Sequence, residues 1–451
     1  ITIDGEDAKD FDDAVYAEKI NDKEWKIIVS IADVSFYIKE NSILDKKAKL
    51  RGNSIYFPNM VIPMFPEEIS NNLCSLRENE KKLCLSVEIK ITNDGKKISH
   101  KFYKSIIKPK KRFTYQQIEE LINSNFSNKT NHNKKLLTSI KHLYHVYKIL
   151  KKQSIQRGCL NLKISDKIFL FDNTHTSLEV KEIESSESHQ LIEEFMILAN
   201  VCAAEEISKV DNENVYRVHE KPSPEKINDL IKFIGSPYDK MLKNKISTTT
   251  FNYIIKKLEK EKGVQSVNQI ILRSQSQAKY NNFNKGHFGL ALKNYVHFTS
   301  PIRRYSDLLI HRKLNQIIND FSQNNNNSKD NLKSICDHIS KTERIAVQAE
   351  RKTSDRMISY IYSKKINEKF TGCIISTKKF GVFVSINNGL AEGLIQKKHL
   401  PKDIYIFNEK NETLKGINNG IVFRTGLMLL VSIRETDILN GNLSLNYLKL
   451  I

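Results

Sequence analysis

The pattern of hydrophobic and polar positions changes character along this chain. Residues 25–38 and 84–92 are rich in β-branched and aromatic side chains, which predicts β-strands in the N-terminal part. Farther on, hydrophobic residues recur at helical spacing in residues 188–209 and again in residues 342–365. The pattern therefore predicts a large domain of the α+β class, with mixed α/β architecture.

The pattern changes again after about residue 365. Short hydrophobic runs are separated there by regular turn signals, and Asn440-Gly441 between two such runs is typical of a β-hairpin. This spacing predicts a small all-β barrel. The predicted domains are residues 1–365 and 366–451. Two polar, Asn-rich stretches without periodicity are predicted to be surface loops: residues 123–135 and 322–330.

The net positive charge of the chain favours some classes of partner but does not identify one. The 451 residues include 72 Lys and Arg against 52 Asp and Glu, which gives a formal charge of +20 at pH 7. This excess favours a polyanionic partner such as nucleic acid. The abundance of Lys, Asn and Ile is also typical of an A/T-rich coding bias, which alone could raise the basic count. The motifs have to decide between these two explanations.

The sequence predicts a cytoplasmic protein without a membrane span. No apolar run approaches the roughly 18 residues of a transmembrane helix, and no secretory signal opens the chain. The six cysteines are scattered without zinc-site spacing, so we expect reduced thiols. The chain opens directly on a strand-like segment, and we therefore expect it to be a piece of a longer protein.

A dense acidic cluster lies near the start of the chain. The segment DGEDAKDFDD, residues 4–13, contains five aspartates and one glutamate with a single lysine to offset them. Such crowding of carboxylates is electrostatically unfavourable without a cation. In an extended segment, Asp10 and Asp12 point to one side while Phe11 points toward a core. A turn at the glycine would bring Asp4 back to the same pocket.

The chemistry of this cluster favours a hard metal ion. Oxygen ligands alone, without His or Cys, select Mg²⁺ or Mn²⁺ over zinc. Two such ions about 3.5–4 Å apart would hold a scissile phosphate, activate water and stabilise the leaving oxygen. An EF-hand loop is disfavoured because no start among these aspartates satisfies both its glycine and its final glutamate. A solvated acidic turn is commoner in general, but it seldom lies beside Phe11 and the apolar run AVYA.

The same segment carries a family resemblance. DGEDAKDFDDAV resembles the signature of the RNase II/RNase R (RNB) exoribonucleases, and the likeness runs from Ile1 to Ile451. Further matching motifs are IADVSFYI, RGNSIYFPNMVIPMFPEEISNNLCSL, LIEEFMILAN, RVHEKPS, GHFGLALKNYVHFTSPIRRYSDLLIHR and AERKTSDR. Motifs such as HFGLAL resemble the RNase R branch more closely than the RNase II branch. Ser30 and Phe36 stand where the family usually has two histidines, a departure that we do not expect to abolish catalysis.

The resemblance implies an activity and an architecture. The activity is processive, hydrolytic 3′-to-5′ degradation of single-stranded RNA to nucleoside 5′-monophosphates, with structured RNA left open as a substrate. The implied cofactor is Mg²⁺, or Mn²⁺ in its place, with two ions. The implied fold is an RNB catalytic domain followed by an OB-fold RNA-binding domain of the type named after ribosomal protein S-one.

The resemblance also assigns roles to individual residues. The residues implied to bind metal are Asp4, Asp10, Asp12 and Asp13. Among them, Asp12 is the aspartate most critical for turnover. Arg303 is expected to stabilise charge on the scissile phosphate, with Arg304 as a neighbouring RNA contact. Glu350 is expected to act near the 3′ end. The expected catalytic residues are therefore Asp12, Arg303 and Glu350.

The residues themselves give weaker signals for these roles. Ser300 is a suitable N-cap and Pro301 a suitable first helical residue, and such a helix N-terminus would attract phosphate. A basic helix start on the surface would look the same. By helical periodicity alone, Glu350 would be an ordinary exposed residue. The basic tract KPKKR, residues 108–112, is more typical of a solvated charge run than of an RNA contact.

Aromatic residues are candidates for gripping bases without selecting among them. Tyr56 matches a family tyrosine that stacks on the terminal base, and Phe169 is a second candidate with Phe171 as its rival. As plain strand aromatics, these residues would more often belong to a core. In the barrel, three residues match RNA-contacting positions of that module, although each could equally be a core residue: Phe380, Phe383 and His399.

Two other functions remain open at this point. A non-catalytic RNA-binding scaffold would keep the basic surface and the barrel but has no need of four aspartates at these positions. A metal-dependent endoribonuclease would share the metal site and cut internally. The expected partner is the 3′ end of single-stranded RNA, with no membrane, and the expected oligomeric state is a monomer.

Overall fold

The structure is a computed structural model that describes most of the chain: residues 1–126, 134–163, 165–171, 178–183, 185–235, 238–262, 264–319, 329–409 and 412–451. The two predicted Asn-rich loops lie largely outside these residues. At their described ends both loops are shorter than predicted, because helices already begin at Lys134 and Lys329. Within the described part, no helix combines the length and the apolar character needed to traverse a bilayer.

The elements of the first 363 residues alternate between strands and helices. The first half consists of β1 Thr2–Asp4, β2 Asp13–Asn21, β3 Glu24–Ala32, α1 Val34–Tyr37, α2 Ile43–Arg51, β4 Ile55–Phe57, β5 Met60–Ile62, a π-helix Glu68–Leu73, β6 Lys82–Thr92, β7 Lys97–Ile107, β8 Arg112–Thr114, α3 Tyr115–Asn123 and α4 Lys134–Arg157. The second half consists of β9 Asp166–Phe171, β10 Leu178–Ile183, α5 Glu187–Ser208, β11 Glu213–Val218, α6 Pro224–Ile234, α7 Tyr238–Asn244, α8 Thr248–Lys262, α9 Val264–Ser274, β12 Lys279–Phe283, α10 Tyr305–Ile318 and α11 Lys329–Ser363.

An antiparallel sheet in the order β2-β3-β6-β7 forms the centre of this region. The two strands predicted from the sequence are β3 and β6, although β3 ends at Ala32 because Asp33 caps the short helix α1. Ile27, Val29 and Ile31 alternate along β3 and are fully buried, as expected for side chains on one face of a strand. Helices α4 and α5 pack against this sheet.

Short strand pairs and helix contacts join segments that are distant in the sequence. Strand β1 pairs in parallel with β8, and β11 pairs in antiparallel fashion with β12. Helix α10 packs against α5, and the long helix α11 contacts β4, β11 and β12. Helices α6 to α9 form a separate bundle with its own hydrophobic cluster, which includes Leu242, Phe251, Ile254 and Ile271.

The C-terminal region is a closed barrel in the strand order β13-β14-β15-β20-β19, the architecture of an OB-fold. Its elements are β13 Lys369–Lys378, β14 Gly381–Ile386, β15 Ala391–Gln396, β16 Tyr405–Asn408, β17 Thr413–Gly416, β18 Val422–Phe423, β19 Met428–Asp437 and β20 Asn442–Leu450, with 3-10 turns at Asn387–Gly389 and Lys397–His399. Residue 365 falls in the connection between α11 and β13. The predicted hairpin at Asn440-Gly441 joins β19 to β20, and Gly441 has the positive φ of 72° that such a turn favours.

Candidate active site

A cavity of about 610 Å³ opens where the acidic segment meets α5 and the segment before α10. Seven residues that the sequence had singled out line it: Asp4, Asp10, Asp12, Asp13, Tyr56, Arg303 and Arg304. These residues come from three parts of the chain, and the first and last of them are 300 positions apart in the sequence. The fold therefore joins the acidic motif, the tyrosine motif and the arginine motif in one concave site.

The acidic segment is anchored at both ends and in its middle. Asp4 ends β1 and Asp13 begins β2. Between them, the buried Phe11 donates its amide to Ser75 Oγ at 3.0 Å, and Ser75 Oγ donates to the carbonyl of Lys9 at 2.7 Å. Phe11 thus faces the core as predicted, and the carboxylates on either side of it face the cavity.

Asp12 is the most deeply buried of the four cavity aspartates, at 4% exposure. Its Oδ1 accepts a 2.9 Å hydrogen bond from the amide of Ile302, and its Oδ2 lies 3.7 Å from Nε of Arg303. Oδ2 of Asp12 and Oδ2 of Asp4 are buried without a hydrogen-bond partner. Burying an acceptor without a partner costs free energy. These two oxygens are therefore where a cation would be most strongly stabilised.

Burial and mutual repulsion disfavour the charged forms of these carboxylates. Burial, reinforced by the charge of Asp13, raises the pKa of Asp4 to about 8 even though Arg112 opposes the shift. Burial raises the pKa of Asp13 to about 6, and it raises the pKa of Asp12 well above the usual value against the effect of Arg303. A divalent cation would lower these pKa values again, because it favours the ionised carboxylates.

The donor set fits a hard, partly hydrated divalent cation. Among the residues that the structure describes, no three His, Cys, Asp or Glu side chains are grouped closely enough to enclose an ion by themselves. Mg²⁺ usually keeps several waters and takes one or two carboxylates together with a substrate phosphate. The oxygens of Asp4 and Asp12 that lack hydrogen-bond partners, together with water and a phosphate, would suit such an ion. Coordination by all four aspartates stays a prediction.

The segment before α10 is a turn and not the helix start predicted from Ser300 and Pro301. Helix α10 begins at Tyr305, with Arg304 in the N-cap position. The reason is the fully buried Asp307, which accepts hydrogen bonds from the Ser300 amide at 2.8 Å and from Nε and Nη2 of Arg304 at 2.9 and 2.8 Å. The resulting turn directs a single backbone amide, rather than a helix N-terminus, at the acidic cluster.

The two arginines of this turn have different environments. The side chain of Arg303 is 44% exposed, and its Nη2 donates to Ser300 Oγ at 3.0 Å. The side chain of Arg304 is 21% exposed, and the edge of its guanidinium formed by Nε and Nη2 is bound to Asp307. Arg303 is therefore the more accessible of the two to a ligand in the cavity. Arg304 also lines the cavity, and its contact with RNA stays a prediction.

Tyr56 and Glu350 form a connected pair at the rim of the cavity. The amide of Tyr56 donates to Oε1 of Glu350 at 2.9 Å, and its phenol donates to Oδ2 of Asp10 at 3.1 Å. Burial and the charge of Asp10 raise the pKa of this phenol. Glu350, which periodicity alone would make an ordinary surface residue, is thus tied to the site through Tyr56.

The opposite wall of the cavity was not predicted from the sequence. Its apolar part consists of Ile192, Met196, Ile197 and Leu290. Tyr115 and Glu193 also line it, and the Tyr115 ring stacks on His189 with centroids 3.8 Å apart. Apart from Leu290, which precedes α10, these residues lie in α3 and α5. Helical periodicity marks core positions there but does not distinguish a cavity wall from a core. The α5 residues fall in the motif LIEEFMILAN, but the motif by itself assigned them no role in the site.

Phe169 does not reach the cavity. It is 8% exposed and belongs to the hydrophobic cluster of the barrel, together with Ile358 and Tyr362 of α11. Phe171, its rival, packs against the same cluster. The β9–β10 hairpin lies against α11, which explains why both rings are covered. In this structure Phe169 is a core residue, contrary to the stacking role predicted for it.

The three barrel residues predicted to contact RNA have different environments. Phe380 is 56% exposed, and its ring meets that of the partly buried Phe383 edge-on at 6.0 Å. His399 accepts a hydrogen bond from Arg434. Phe383 lines a cleft of about 1100 Å³ between the barrel and α11, whose cationic lining residues are Lys163, Lys167, Arg273 and Arg351. The same cleft is also lined by acidic residues, among them Glu392 and Glu435, and Phe383 is the one predicted barrel residue in its lining. None of the three barrel residues lines the acidic cavity.

Comparison with known proteins gives a consistent family. The chain matches the model of the RNB domain over residues 1–320. It is 35% identical to ribonuclease R of Vibrio cholerae over 437 residues, which cover 94% of this chain and 53% of that protein. The chain thus spans about half the length of the curated relatives it matches.

Solved structures show the same likeness. The fold is similar to Mycoplasma genitalium RNase R in complex with ribose methylated single-stranded RNA, with a TM-score of 0.92 and 28% identity over 99% of this chain and 70% of that one. It is also similar to yeast Ssd1, described as a pseudonuclease, with a TM-score of 0.70 and 17% identity over 92% of this chain and 51% of that one. At that identity, the second likeness concerns the fold alone.

Proposed function

The chain belongs to the RNB domain family, and from this premise we propose that it is a hydrolytic exoribonuclease acting on single-stranded RNA. It removes nucleoside 5′-monophosphates processively from the 3′ end. The observation that carries the proposal is the convergence of four aspartates and Arg303 on one cavity. The complex of the Mycoplasma genitalium relative with single-stranded RNA supports RNA as the ligand.

Mg²⁺, or Mn²⁺ in its place, is the proposed cofactor, with two ions per site. Its ligands would come from the predicted set, Asp4, Asp10, Asp12 and Asp13. A bound divalent cation supplies Lewis-acid stabilisation of phosphate charge and lowers the pKa of a coordinated water. The Ile302 amide fixes Oδ1 of Asp12, so the second oxygen of this carboxylate is held toward the cavity. This orientation supports the expectation that Asp12 is the aspartate most critical for turnover.

Arg303 is the proposed contact to the scissile phosphate. Its forked donors match phosphate oxygens, and Ser300 Oγ orients the guanidinium before any ligand arrives. Negative charge spreads over the phosphate oxygens as the water attacks and the 3′ oxygen leaves. A cation that is already in position stabilises this charge without further reorganisation.

Tyr56 is the proposed support for the terminal base. Its ring is 39% exposed, while its amide and phenol are held by Glu350 and Asp10. Stacking on such a ring is tolerant of sequence because every base has a π-face. We assign Glu350 a positioning role through Tyr56 in place of the catalytic role expected from the sequence.

The barrel is the proposed grip on RNA outside the cavity. Phe380 and Phe383 offer aromatic surface, and the 3-10 turn at Lys397–His399 adds cationic and imidazole groups beside them. Contacts to phosphates and base faces give affinity without sequence preference. A monomeric state and a cytoplasmic location remain predictions.

Two rival functions share parts of this arrangement. A non-catalytic RNA-binding scaffold is a real alternative, because the same fold occurs in a protein described as a pseudonuclease. The buried carboxylate oxygens of Asp4 and Asp12 that lack a hydrogen-bond partner weigh against it, since burying them costs free energy without benefit to a scaffold. A metal-dependent endoribonuclease would share the metal site and would release internal fragments.

The deciding experiment uses a 5′-labelled single-stranded RNA with Mg²⁺ or with a chelator. We expect Mg²⁺-dependent loss of nucleotides from the 3′ end, with nucleoside 5′-monophosphates as the product. Asp12→Asn should lower turnover by a factor of about 10³ or more, because removing one preorganised electrostatic group costs roughly that much. The matched control is Asp22→Asn, since Asp22 lies on the surface with its side chain 96% exposed.

The product pattern separates the rivals. Internal fragments in Mg²⁺ would identify an endoribonuclease. Binding without cleavage by the unsubstituted chain would identify a scaffold. Equal activity of the unsubstituted chain and of Asp12→Asn would show that the acidic cavity is not the catalytic site.

A further inference from the structure

One residue of the basic tract KPKKR does not belong to a solvated charge run. Lys108 and Lys110 are exposed, in agreement with the expectation for the tract. Arg112 instead turns back over the acidic segment, which is a correction to that expectation. Its position at the start of β8, directly beside β1, accounts for the difference.

The guanidinium of Arg112 holds the loop that links two of the cavity aspartates. Its Nη2 donates to the carbonyl of Gly5 and, at 2.8 Å, to the carbonyl of Glu6. The same guanidinium lies over the ring of Phe11, 5.1 Å from the ring centroid. Gly5 and Glu6 lie between Asp4 and Asp10 in the chain, so one side chain fixes the path between these carboxylates.

The backbone of Arg112 is held in place by β1 and by Glu78. Arg112 is the register partner of Thr2 in the parallel β1–β8 pair, and its amide donates to Oε2 of Glu78 at 3.1 Å. The loop it holds is otherwise loosely packed. Residues 5–7 are exposed, and a Cβ built at Gly5 would meet no atom within 4 Å. The guanidinium therefore ties a loose loop to a rigid strand.

We propose that Arg112 is a positioning residue that sets the separation of Asp4 and Asp10 and thereby the affinity of the cavity for its divalent cation. The proposal rests on the proposed metal site. Without the clamp, the exposed loop has more conformations, and ordering it becomes part of the cost of binding the ion. Groups that orient metal ligands typically change metal affinity by about 10–100-fold when they are removed.

The test measures Mn²⁺ binding by calorimetry in the absence of RNA, so that it does not depend on turnover. Arg112→Met removes the fork and keeps much of the side-chain volume, and Lys110→Met is the matched control on an exposed position of the same tract. We expect Arg112→Met to weaken Mn²⁺ binding by about tenfold or more. Lys110→Met should match the parent chain. Arg112→Lys keeps the charge without the fork and should fall between the two.

Two further measurements separate positioning from other roles. Thermal unfolding in chelator should give nearly the same Tm for the parent chain and Arg112→Met, because methionine keeps an apolar contact with Phe11 and the lost hydrogen bonds hold an exposed loop. Affinity for single-stranded RNA in chelator should also be unchanged. A fall in RNA affinity at unchanged Mn²⁺ affinity would overturn the proposal in favour of a direct RNA contact.

The outcomes distinguish this proposal from the proposed function. If the parent chain binds Mn²⁺ and Arg112→Met binds it equally well, only the positioning role falls. If the parent chain binds no Mn²⁺, the metal site falls and the positioning role falls with it. If Arg112→Met does not fold, Arg112→Lys decides, and an Mn²⁺ affinity within about twofold of the parent overturns the proposal.

Discussion

At the scale of single residues, burial of the cavity aspartates makes their ionised forms costly to the stability of the fold. Their folded pKa values, about 8 for Asp4 and about 6 for Asp13, lie above the usual value of 3.8. Such groups bind more protons in the folded than in the unfolded chain. The contribution of these two carboxylates to the stability of the metal-free protein therefore falls as pH rises from about 4 to about 8. A cation in the cavity offsets this loss, because it replaces the protons.

This cost predicts the effect of Asp4→Asn on the metal-free chain. The amide removes the carboxylate penalty, so Asp4→Asn should raise Tm in chelator, and the gain should be larger at pH 8 than at pH 5. A difference of about 2 °C or more between the two pH values corresponds to roughly 1 kcal/mol in a domain of this size. Differential scanning calorimetry at both pH values measures it.

The comparison has two internal controls. Buried histidines also titrate, but they are the same in both chains and cancel in the difference. Asp22→Asn, on an exposed residue, should give no such gain. Added Mg²⁺ should stabilise the parent chain more than Asp4→Asn. A gain for Asp4→Asn that is independent of pH would mean that it does not arise from the carboxylate charge.

At the scale of elements, the turn before α10 depends on one buried carboxylate. Asp307→Asn keeps the shape but leaves the Arg304 guanidinium without its counter-charge and weakens the bond to the Ser300 amide. Breaking a buried ion pair costs about 3–5 kcal/mol, and the 21% exposure of Arg304 places the expected loss in unfolding free energy at the lower end. Chemical denaturation measures the loss. Turnover should fall as well, because the turn carries Ile302 and Arg303.

The control for this prediction is Asp337→Asn, at an exposed aspartate on α11. This substitution should change the unfolding free energy by no more than about 0.5 kcal/mol and should leave turnover unchanged. Unchanged stability of Asp307→Asn would show that solvent, and not the ion pair, compensates Arg304. Unchanged turnover at reduced stability would separate the turn from the chemistry.

Local sequence signals predicted several elements and the acidic side of the cavity, but neither its apolar wall nor the contacts between distant segments. Strand β3, helix α5 and the Asn440-Gly441 hairpin follow from periodicity and turn chemistry, which are properties of a few adjacent residues. The start of α10 was misplaced because Asp307, seven residues after Ser300, overrides the local N-cap pattern. Such a competition between two capping groups depends on burial, and burial is decided by the tertiary fold.

The same reasoning separates Tyr56 from Phe169. Both are aromatic residues in short strands, and the sequence pattern is the same for a ring that is covered and a ring that is open. Strand β9 is covered by the barrel cluster, whereas β4 ends at the cavity rim, where Asp10 and Glu350 hold Tyr56. The family resemblance had made both residues candidates for base stacking. The structure places only Tyr56 at the cavity, and its stacking role stays a prediction.

At the scale of the whole molecule, the acidic cavity and the barrel surface are separate sites. The barrel follows α11 in the chain and packs against α11, α9 and the strand that carries Phe169. The end of α11 belongs to the hydrophobic cluster of the barrel, while residues nearer its middle, including Glu350, contact the cavity rim. This helix therefore fixes the distance between the two sites. RNA long enough to reach both should bind more tightly than RNA confined to the cavity, since the second contact becomes intramolecular.

This arrangement predicts that Phe380→Ala affects long and short RNA differently. Phe380 is 56% exposed at the barrel surface, and stacking of one base on an aromatic ring is worth about 1–3 kcal/mol. Measured in an Asp12→Asn background, affinity for a long single strand should fall by about tenfold, and affinity for a strand of about five nucleotides should not change. Leu439→Ala, at an even more exposed apolar position of the barrel, is the matched control and should leave both affinities unchanged. Equal losses of affinity for long and short RNA would place Phe380 on the path into the cavity. Unchanged affinity for both would show that Phe380 does not contribute to RNA binding.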